Sequence, residues 1–493
     1  MTTRNFVLIV QNSNYPQMGP HYLKNALRAF DIKTHIIGSE KTTEELDELI
    51  ENVDPIAVGC SVMTAPEIAQ FVGHSLHVQE KYNKRRRRYP VIWGGMHSTI
   101  VADQTAAEPY IDFVVAGEAE VTLPKILLGM IDGVYPQKKL IRVVTPTQLD
   151  NYQPDWDGVD LTKYLFSEAH SVHAHFDSET SKKNIFYYLL SSRGCTYKCN
   201  FCWEVARTAS MRAEAETDSV KEDLTWRCHS LAWVEKQIDI VNAALAKSGR
   251  SMDGIGFWDD MIFGRGNRSS DIDRARSILS LMRKKNFGYL LEARADQLIR
   301  KTNRWNGGVT READLYHFLK ETGCMQVFVG TESGSQVTLN MIQKGTKVID
   351  YRRLVEISRD VGLPLRFSMI VGFPNETDES VNQTLDFIEE LRGERFVSVS
   401  GPKLFTPYPG VPQYEAAVAR GLVIPKSTLD WAFLDRYADY RTVYPWLEKN
   451  LTKATLARID AEFEAVSPEK KHVVDEVRVR VDEVRVREMV RGH

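Results

Sequence analysis

The chain has 493 residues, 43% hydrophobic and 26% charged, with a net charge of −3. That length predicts two or three domains, and the near-neutral charge argues against a general polyanion binder, so no nucleic-acid partner is expected. The sequence shows no run of eighteen apolar residues and no secretory pattern, and six cysteines are few for this length; a soluble, cytoplasmic protein with reduced thiols and no membrane partner is expected.

Residues 5–10 (Asn-Phe-Val-Leu-Ile-Val) read as a buried strand, followed by a polar loop at 11–20 and a helix at 21–30 with apolar residues at helical spacing. Strands are predicted at 34–37, 55–62, 89–93 and 111–115, with helices at 42–52 and 65–82 between them. Strands alternating with helices predict a doubly wound, Rossmann-like parallel sheet. In such sheets a ligand sits beyond the carboxyl ends of the strands, here the loops 11–20, 59–64, 94–99 and 117–120. Gly94 and Gly95 would let a bulky ligand approach the backbone, though paired glycines also mark plain turns. The cationic run at 84–88 reads as a solvated loop, because the rest of the chain shows no basic enrichment.

Residues 130–183 are irregular and read as a linker in which Trp156 could cover a site. The run 185–190 (Ile-Phe-Tyr-Tyr-Leu-Leu) is then a short, apolar, aromatic-rich strand, and Gly194 opens a loop that carries Cys195, Cys199 and Cys202. Three thiolates on one tight loop can hold three corners of an iron–sulfur cluster and leave the fourth iron open to a small molecule. A zinc site completed by Cys228 or His229, or a chance grouping, are the competing readings. Strands follow at 254–260, 288–296, 326–334, 365–374 and 395–400, with helices at 232–246 and 271–285. Asp259 and Asp260 close one strand, Glu292 and Arg294 share one face of the next, and Glu332 leaves the third. The Pro/Gly-rich segment 403–412 cannot be helical. Trp431, Tyr437, Tyr440, Tyr444 and Trp446 lie in a helical region and either shape a substrate pocket or belong to a core. The tail repeats a heptapeptide at 474–480 and 481–487, to which no chemistry is assigned.

The Cys-x3-Cys-x2-Cys spacing, with aromatic Phe201 before the third cysteine, resembles the signature of the radical S-adenosylmethionine (SAM) superfamily. The succession Phe-Trp-Asp-Asp, Glu-Ala-Arg-Ala-Asp, Val-Gly-Thr-Glu-Ser-Gly, Ile-Gln-Lys-Gly and Ile-Val-Gly-Phe-Pro-Asn-Glu-Thr resembles the strand motifs of one of its subgroups. The runs Val91 to Thr99 and Asp112 to Leu123 resemble the cobalamin-binding domain that precedes many such cores. The resemblance implies a 4Fe-4S cluster on Cys195, Cys199 and Cys202, and SAM against Phe201, Asp259, Arg294 and Glu332. Asp259 and Glu332 would take its amino group or ribose, and Arg294 its carboxylate. It also implies cobalamin at Ser61, Met63, Thr64, Gly94, Gly95, His97, Gly117 and Glu118. The Asp-x-His-x-x-Gly motif is absent, so no histidine is named as a cobalt ligand.

The expected fold is an α/β chain in four parts. A cobalamin-binding-like domain spans 1–140, a linker 141–183, a partial (β/α)6 barrel 184–410, and a mostly helical region 411–493. The expected function is radical hydrogen abstraction from an unactivated carbon of a small molecule, leading to cobalamin-dependent C-methylation. A flavodoxin or ferredoxin system would supply the electron. The rivals are a radical dehydratase or deoxygenase, for instance on an amino sugar, and a non-catalytic cluster-binding protein.

Overall fold

The computed structural model describes residues 4–11, 17–84, 88–167, 185–212, 225–264, 269–299, 312–433 and 440–466. The tail repeat, Tyr437, the side chain of Tyr440, the polar run 177–183 and the arginines at 85–87 lie outside the described residues.

The first sheet has strands β1 (Arg4–Val10), β2 (Ile32–Gly38), β3 (Val58–Ser61), β4 (Val91–Gly94), β5 (Phe113–Ala116) and β6 (Leu140–Arg142). They are parallel, in the order β2-β1-β3-β4-β5-β6. Side chains alternate across a strand, so each strand feeds two layers. Val7, Ile9, Val58, Val91, Trp93 and Val114 enter one core, while Phe6, Leu8, Ile92, Phe113 and Val115 enter another. Burial on both faces explains why these strands are apolar runs rather than alternating ones. The helix Thr43–Val53 starts where Thr42 and Glu45 close a reciprocal capping box.

The second sheet runs in the order β15-β14-β13-β12-β11-β8-β7 among the described residues. Its parallel strands are β8 (Ile185–Leu189), β11 (Gly254–Phe257), β12 (Gly288–Arg294), β13 (Cys324–Glu332), β14 (Leu365–Val371) and β15 (Val397–Leu404). The short β7 (Phe166–Ser167) joins β8 antiparallel at one edge, so the six parallel strands form an open, partial barrel. A separate antiparallel pair, β9 (Ser192–Gly194) and β10 (Trp226–Cys228), sits above β8.

The structure departs from the sequence reading in two places and decides two points it left open. Strand β6 crosses the expected boundary at 140, and β7 extends the second sheet, so the linker is built into both sheets rather than lying between them. The helix Thr122–Ile131 was not foreseen. Trp156 packs on His21, with centroids 4.5 Å apart, and on Tyr187 at 5.9 Å, which fastens the two domains rather than covering a pocket. Trp431, Tyr444 and Trp446 are buried, in agreement with the core alternative. Among the described residues no helix is long and apolar enough to cross a membrane.

Candidate active site

The cysteine loop is short, and six other segments pack against it. Gly194 has φ +95°, and a Cβ there would lie 2.4 Å from the Thr225 carbonyl oxygen, so only glycine allows β9 to pass this close to its partner. Thr196 N lies 3.2 Å from Met261 Sδ, and Tyr197 Oη donates to Asp296 Oδ2 at 3.0 Å. Asn200 donates through its backbone to Ile342 O at 3.2 Å and through Nδ2 to Met341 O at 2.9 Å. Its own carbonyl accepts from Gln413 N at 3.1 Å. Phe201 meets Phe373 edge-on at 5.5 Å. The helix Trp203–Arg212 begins directly after Cys202.

All three thiols are free of disulfides. Burial pushes the Cys195 thiol up to about 12 and Cys202 higher still, and a bound cation would oppose that shift. Among the described residues no three His, Cys, Asp or Glu side chains converge on a single ion. A four-iron cluster does not ask for that, since each cysteine takes a different iron. The loop therefore fits three corners of such a cluster. The zinc alternative lacks its fourth ligand. His229 stacks on Trp233 at 3.5 Å, its Nδ1 lies 3.2 Å from Asp150 and its Nε2 3.3 Å from Tyr22 Oη. Cys228 sits opposite Ser192 in the β9–β10 pair.

The strand ends carry the remaining polar groups. Asp259 does not face the cavity. It is fully buried, and its carboxylate accepts from Ser191 N at 3.1 Å, Ser191 Oγ at 2.8 Å and Ser192 Oγ at 2.5 Å. It braces the chain that leads into the cysteine loop. Its neighbour Asp260 stays open to solvent, although surrounding protein, and then Glu204, push its carboxyl up to about 7. Glu292 is likewise pushed up to about 8, by burial and then by Asp260. In the β11–β12 register Gly256 stands opposite Leu290 and Phe257 opposite Leu291, and Asp260 lies three residues past the end of β11. Trp258 is 43% exposed.

Glu332 adopts φ +68° where the β13–β14 register shifts. Its carboxylate pairs with Lys344 Nζ at 2.7 Å and accepts from Ser368 Oγ at 3.2 Å. Lys344 was not singled out from sequence. Each of the three nitrogens of Arg294 already donates to the protein: Nε to Asp296 Oδ1 at 2.9 Å, Nη1 to Cys199 Sγ at 3.2 Å, and Nη2 to Lys344 O.

The loops at the carboxyl end of the first sheet face this assembly. Met63 is 44% exposed, while Ser61 and Thr64 are half-buried. His97 is fully buried. Its Nδ1 lies 3.1 Å from Thr64 Oγ1, its ring meets Trp431 edge-on at 5.9 Å, and burial brings its pKa down to about 3. Its Nε2 is buried and has no hydrogen-bond partner among the described residues. Gly94 has room for a Cβ, but Gly95 has φ +89° and a Cβ there would lie 2.7 Å from Val62 N. Gly95 thus serves a close pass of the chain's own backbone rather than an opening for a ligand. Gly117 N donates to Thr99 Oγ1 at 2.9 Å.

Glu118 reaches across to the second domain. It pairs with Arg193 at 2.7 Å, with Arg207 at 3.0 Å, and with both terminal nitrogens of Arg227, the longer contact at 3.0 Å. Burial alone would raise its carboxyl, but Arg193, Arg227 and Arg207 outweigh that and hold it well below the usual carboxylate range. Arg193 stands two residues before Cys195, and Arg207 lies in the helix that follows Cys202. The strand-end loop of the first sheet is therefore clamped to both flanks of the cysteine loop. The sequence motif marked Glu118 as a ligand contact and gave no sign of these partners.

Comparison with known proteins agrees with this architecture. The model of the B12 binding domain matches residues 4–127, and that of the radical SAM superfamily matches residues 189–388. The chain is 25% identical to an uncharacterized methyltransferase of Pyrococcus horikoshii, over 93% of this chain and 88% of that protein. It is 22% identical to the anaerobic magnesium-protoporphyrin IX monomethyl ester cyclase of Rubrivivax gelatinosus, over 80% of this chain and 65% of the cyclase. Among solved structures it resembles the cobalamin-dependent SAM radical enzyme OxsB with aqua-cobalamin and SAM bound. That match has TM-score 0.59 and 18% identity, over 80% of this chain and 53% of OxsB. The radical SAM methyltransferase TsrM of Kitasatospora setae gives TM-score 0.52 and 19% identity, over 83% of this chain and 75% of TsrM.

Proposed function

We propose that this chain, whose residues 4–127 match the model of the B12 binding domain and residues 189–388 that of the radical SAM superfamily, is a cobalamin-dependent methyltransferase acting on an unactivated carbon of a small molecule. When bound, the cluster and SAM supply a hydrogen-abstracting radical, and cobalamin carries the methyl group. The protein's part is to hold these groups close together and dry. Cys195, Cys199 and Cys202 would hold three irons. The open carboxylate of Asp260 suits the SAM ammonium better than the occupied Asp259 does. Phe201 and the Glu332–Lys344 pair would border the same ligand. The exposed Met63 and the loops around Gly94 and Gly117 would border the corrinoid. A flavodoxin- or ferredoxin-type donor is the reductant that fits this chemistry.

The observation that carries the reading is the Glu118 clamp. It joins the ligand-facing edge of the B12-type sheet to the two flanks of the cysteine loop, so a corrinoid and a cluster would sit on facing surfaces. The test is anaerobic reconstitution with iron, sulfide and hydroxocobalamin. The expected result is one corrinoid and four irons per chain, 5′-deoxyadenosine on reduction, and transfer of labelled methyl from SAM into product. SAM cleavage without retained corrinoid or methyl transfer would sink the methyltransferase reading and leave a radical dehydratase.

A further inference from the structure

The contacts of Arg294 are unusual for a group expected to receive a ligand carboxylate. Its guanidinium lies 3.6 Å from the centroid of the Tyr197 ring, inside the cysteine loop itself. Asp296 accepts from Arg294 Nε through Oδ1 at 2.9 Å and from Tyr197 Oη through Oδ2 at 3.0 Å, so arginine, aspartate and tyrosine form a closed ring of contacts. On the far side Arg294 Nη2 donates to Lys344 O. That carbonyl belongs to the turn Met341 to Gly345, which also supplies the Met341 and Ile342 carbonyls that hold Asn200. Gln343 takes φ +53° within this turn. The Ile-Gln-Lys-Gly motif is thereby explained: a bent turn aims three carbonyls at the cysteine loop and at the arginine behind it. The remaining terminal nitrogen, Nη1, stands 3.2 Å from Cys199 Sγ.

We propose that Arg294 is a positioning residue for the cluster, not the receptor for the SAM carboxylate: held by Asp296, Tyr197 and Lys344 O, it donates a charge-assisted hydrogen bond to the Cys199 sulfur. The proposal rests on Cys199 being a cluster ligand, as in the function proposed above. A hydrogen bond and a nearby positive charge at a ligating sulfur favour the reduced, more negative cluster, so they raise its reduction potential. Arg294 would set how strong an electron donor the cluster needs. The guanidinium is suited to this because a planar fork can satisfy sulfur, carboxylate and carbonyl at once, which a lysine ammonium on a flexible stem cannot do in the same geometry.

The test uses full-length protein, reconstituted anaerobically, with Arg294→Gln and Arg294→Lys. Iron content and the spin count of the reduced cluster are measured first, then the midpoint potential by EPR-monitored titration, then SAM affinity by calorimetry. Arg294→Gln should lower the midpoint potential. Arg294→Lys, which keeps the charge, should lower it less, and both should bind SAM within about twofold of the parent. If Arg294→Gln fails to hold a cluster, Arg294→Lys decides alone by the same two readings. An unchanged midpoint in a fully loaded variant overturns the proposal. So does a tenfold or larger loss of SAM affinity without a shift in potential, which would make Arg294 a SAM receptor. Absence of a cluster from the parent protein is a different failure, and it would count against the proposed function itself.

Discussion

Replacing Glu118 with Gln removes one negative charge from the centre of three arginines. The side chain is only 13% exposed, so solvent can do little to replace the lost interaction. Breaking a buried pair by removing one partner typically costs about 3–5 kcal/mol. The low end applies here, about 3 kcal/mol, because two of the arginines keep another carboxylate. Arg193 retains Glu120 at 2.7 Å and Arg207 retains Glu204, whereas Arg227 is left with the Pro146 carbonyl. The readout is native-state hydrogen exchange of amides in the helix Trp203–Arg212, which reports the local opening free energy. A loss of about 3 kcal/mol would speed exchange there by roughly 150-fold, since 1.36 kcal/mol is a factor of ten. The effect should also depend on pH in a fixed direction. The folded Glu118 carboxyl lies below its model value of 4.5. Its stabilisation is therefore complete above about 4.5 and is lost as pH falls toward the folded value, by up to about 1.36 kcal/mol per pH unit. The gap between parent and Glu118→Gln should narrow between pH 5.5 and pH 3.5. Unchanged exchange in this helix, or a gap that ignores pH, would refute the view that Glu118 holds the domains together.

The adjacent aspartates should separate cleanly. Asp260→Asn should weaken SAM binding in calorimetry by roughly 10- to 150-fold, the equivalent of about 1.5–3 kcal/mol for a charged hydrogen bond, with iron content unchanged. Asp259→Asn should instead lower iron retention, because Ser191 and Ser192 lose the carboxylate that braces the loop; the reverse pattern would restore Asp259 to the ligand. Gly95→Ala should destabilise the first domain by about 1–3 kcal/mol, with or without corrinoid, because the new Cβ meets the Val62 backbone in a left-handed conformation. A variant of full thermal stability that no longer takes up corrinoid would show that the glycine serves the ligand after all.

What could be read from the sequence was what is local along the chain. The strand–helix alternation pointed to two parallel sheets, though not to their strand order, because two-sided burial leaves runs such as Phe-Val-Leu-Ile-Val that need no tertiary context. The helix Thr122–Ile131 was not foreseen; its Pro124 stands in the first turn, where proline is tolerated. The three cysteines were legible because spacing alone brings them onto one loop. The contacts that Asp259, Glu118 and Arg294 make within the protein were not legible, because most of those partners are distant in sequence: 67 or 68 residues for Asp259 and the serines, 75 to 109 for the Glu118 arginines and 95 for Arg294 and Cys199. No pattern along one strand reports such pairings.

The segment around Trp431 returns to the very start of the chain. Trp431 Nε1 donates to Gln104 Oε1 at 2.7 Å, Gln104 Nε2 to Pro425 O at 2.8 Å, and Thr428 N to Glu108 Oε1 at 2.6 Å, across separations of 320 to 327 residues. A ribosome adding about 5–20 residues per second would take roughly 15 to 65 s to make the intervening chain. For most of that interval, once β6 has been made, the first sheet is already synthesised while the side of it that holds Gln104 and His97 has no cover. The nascent protein thus passes through a stage in which a finished domain shows an unfinished face, and the last layer of its core arrives from the other end of the message.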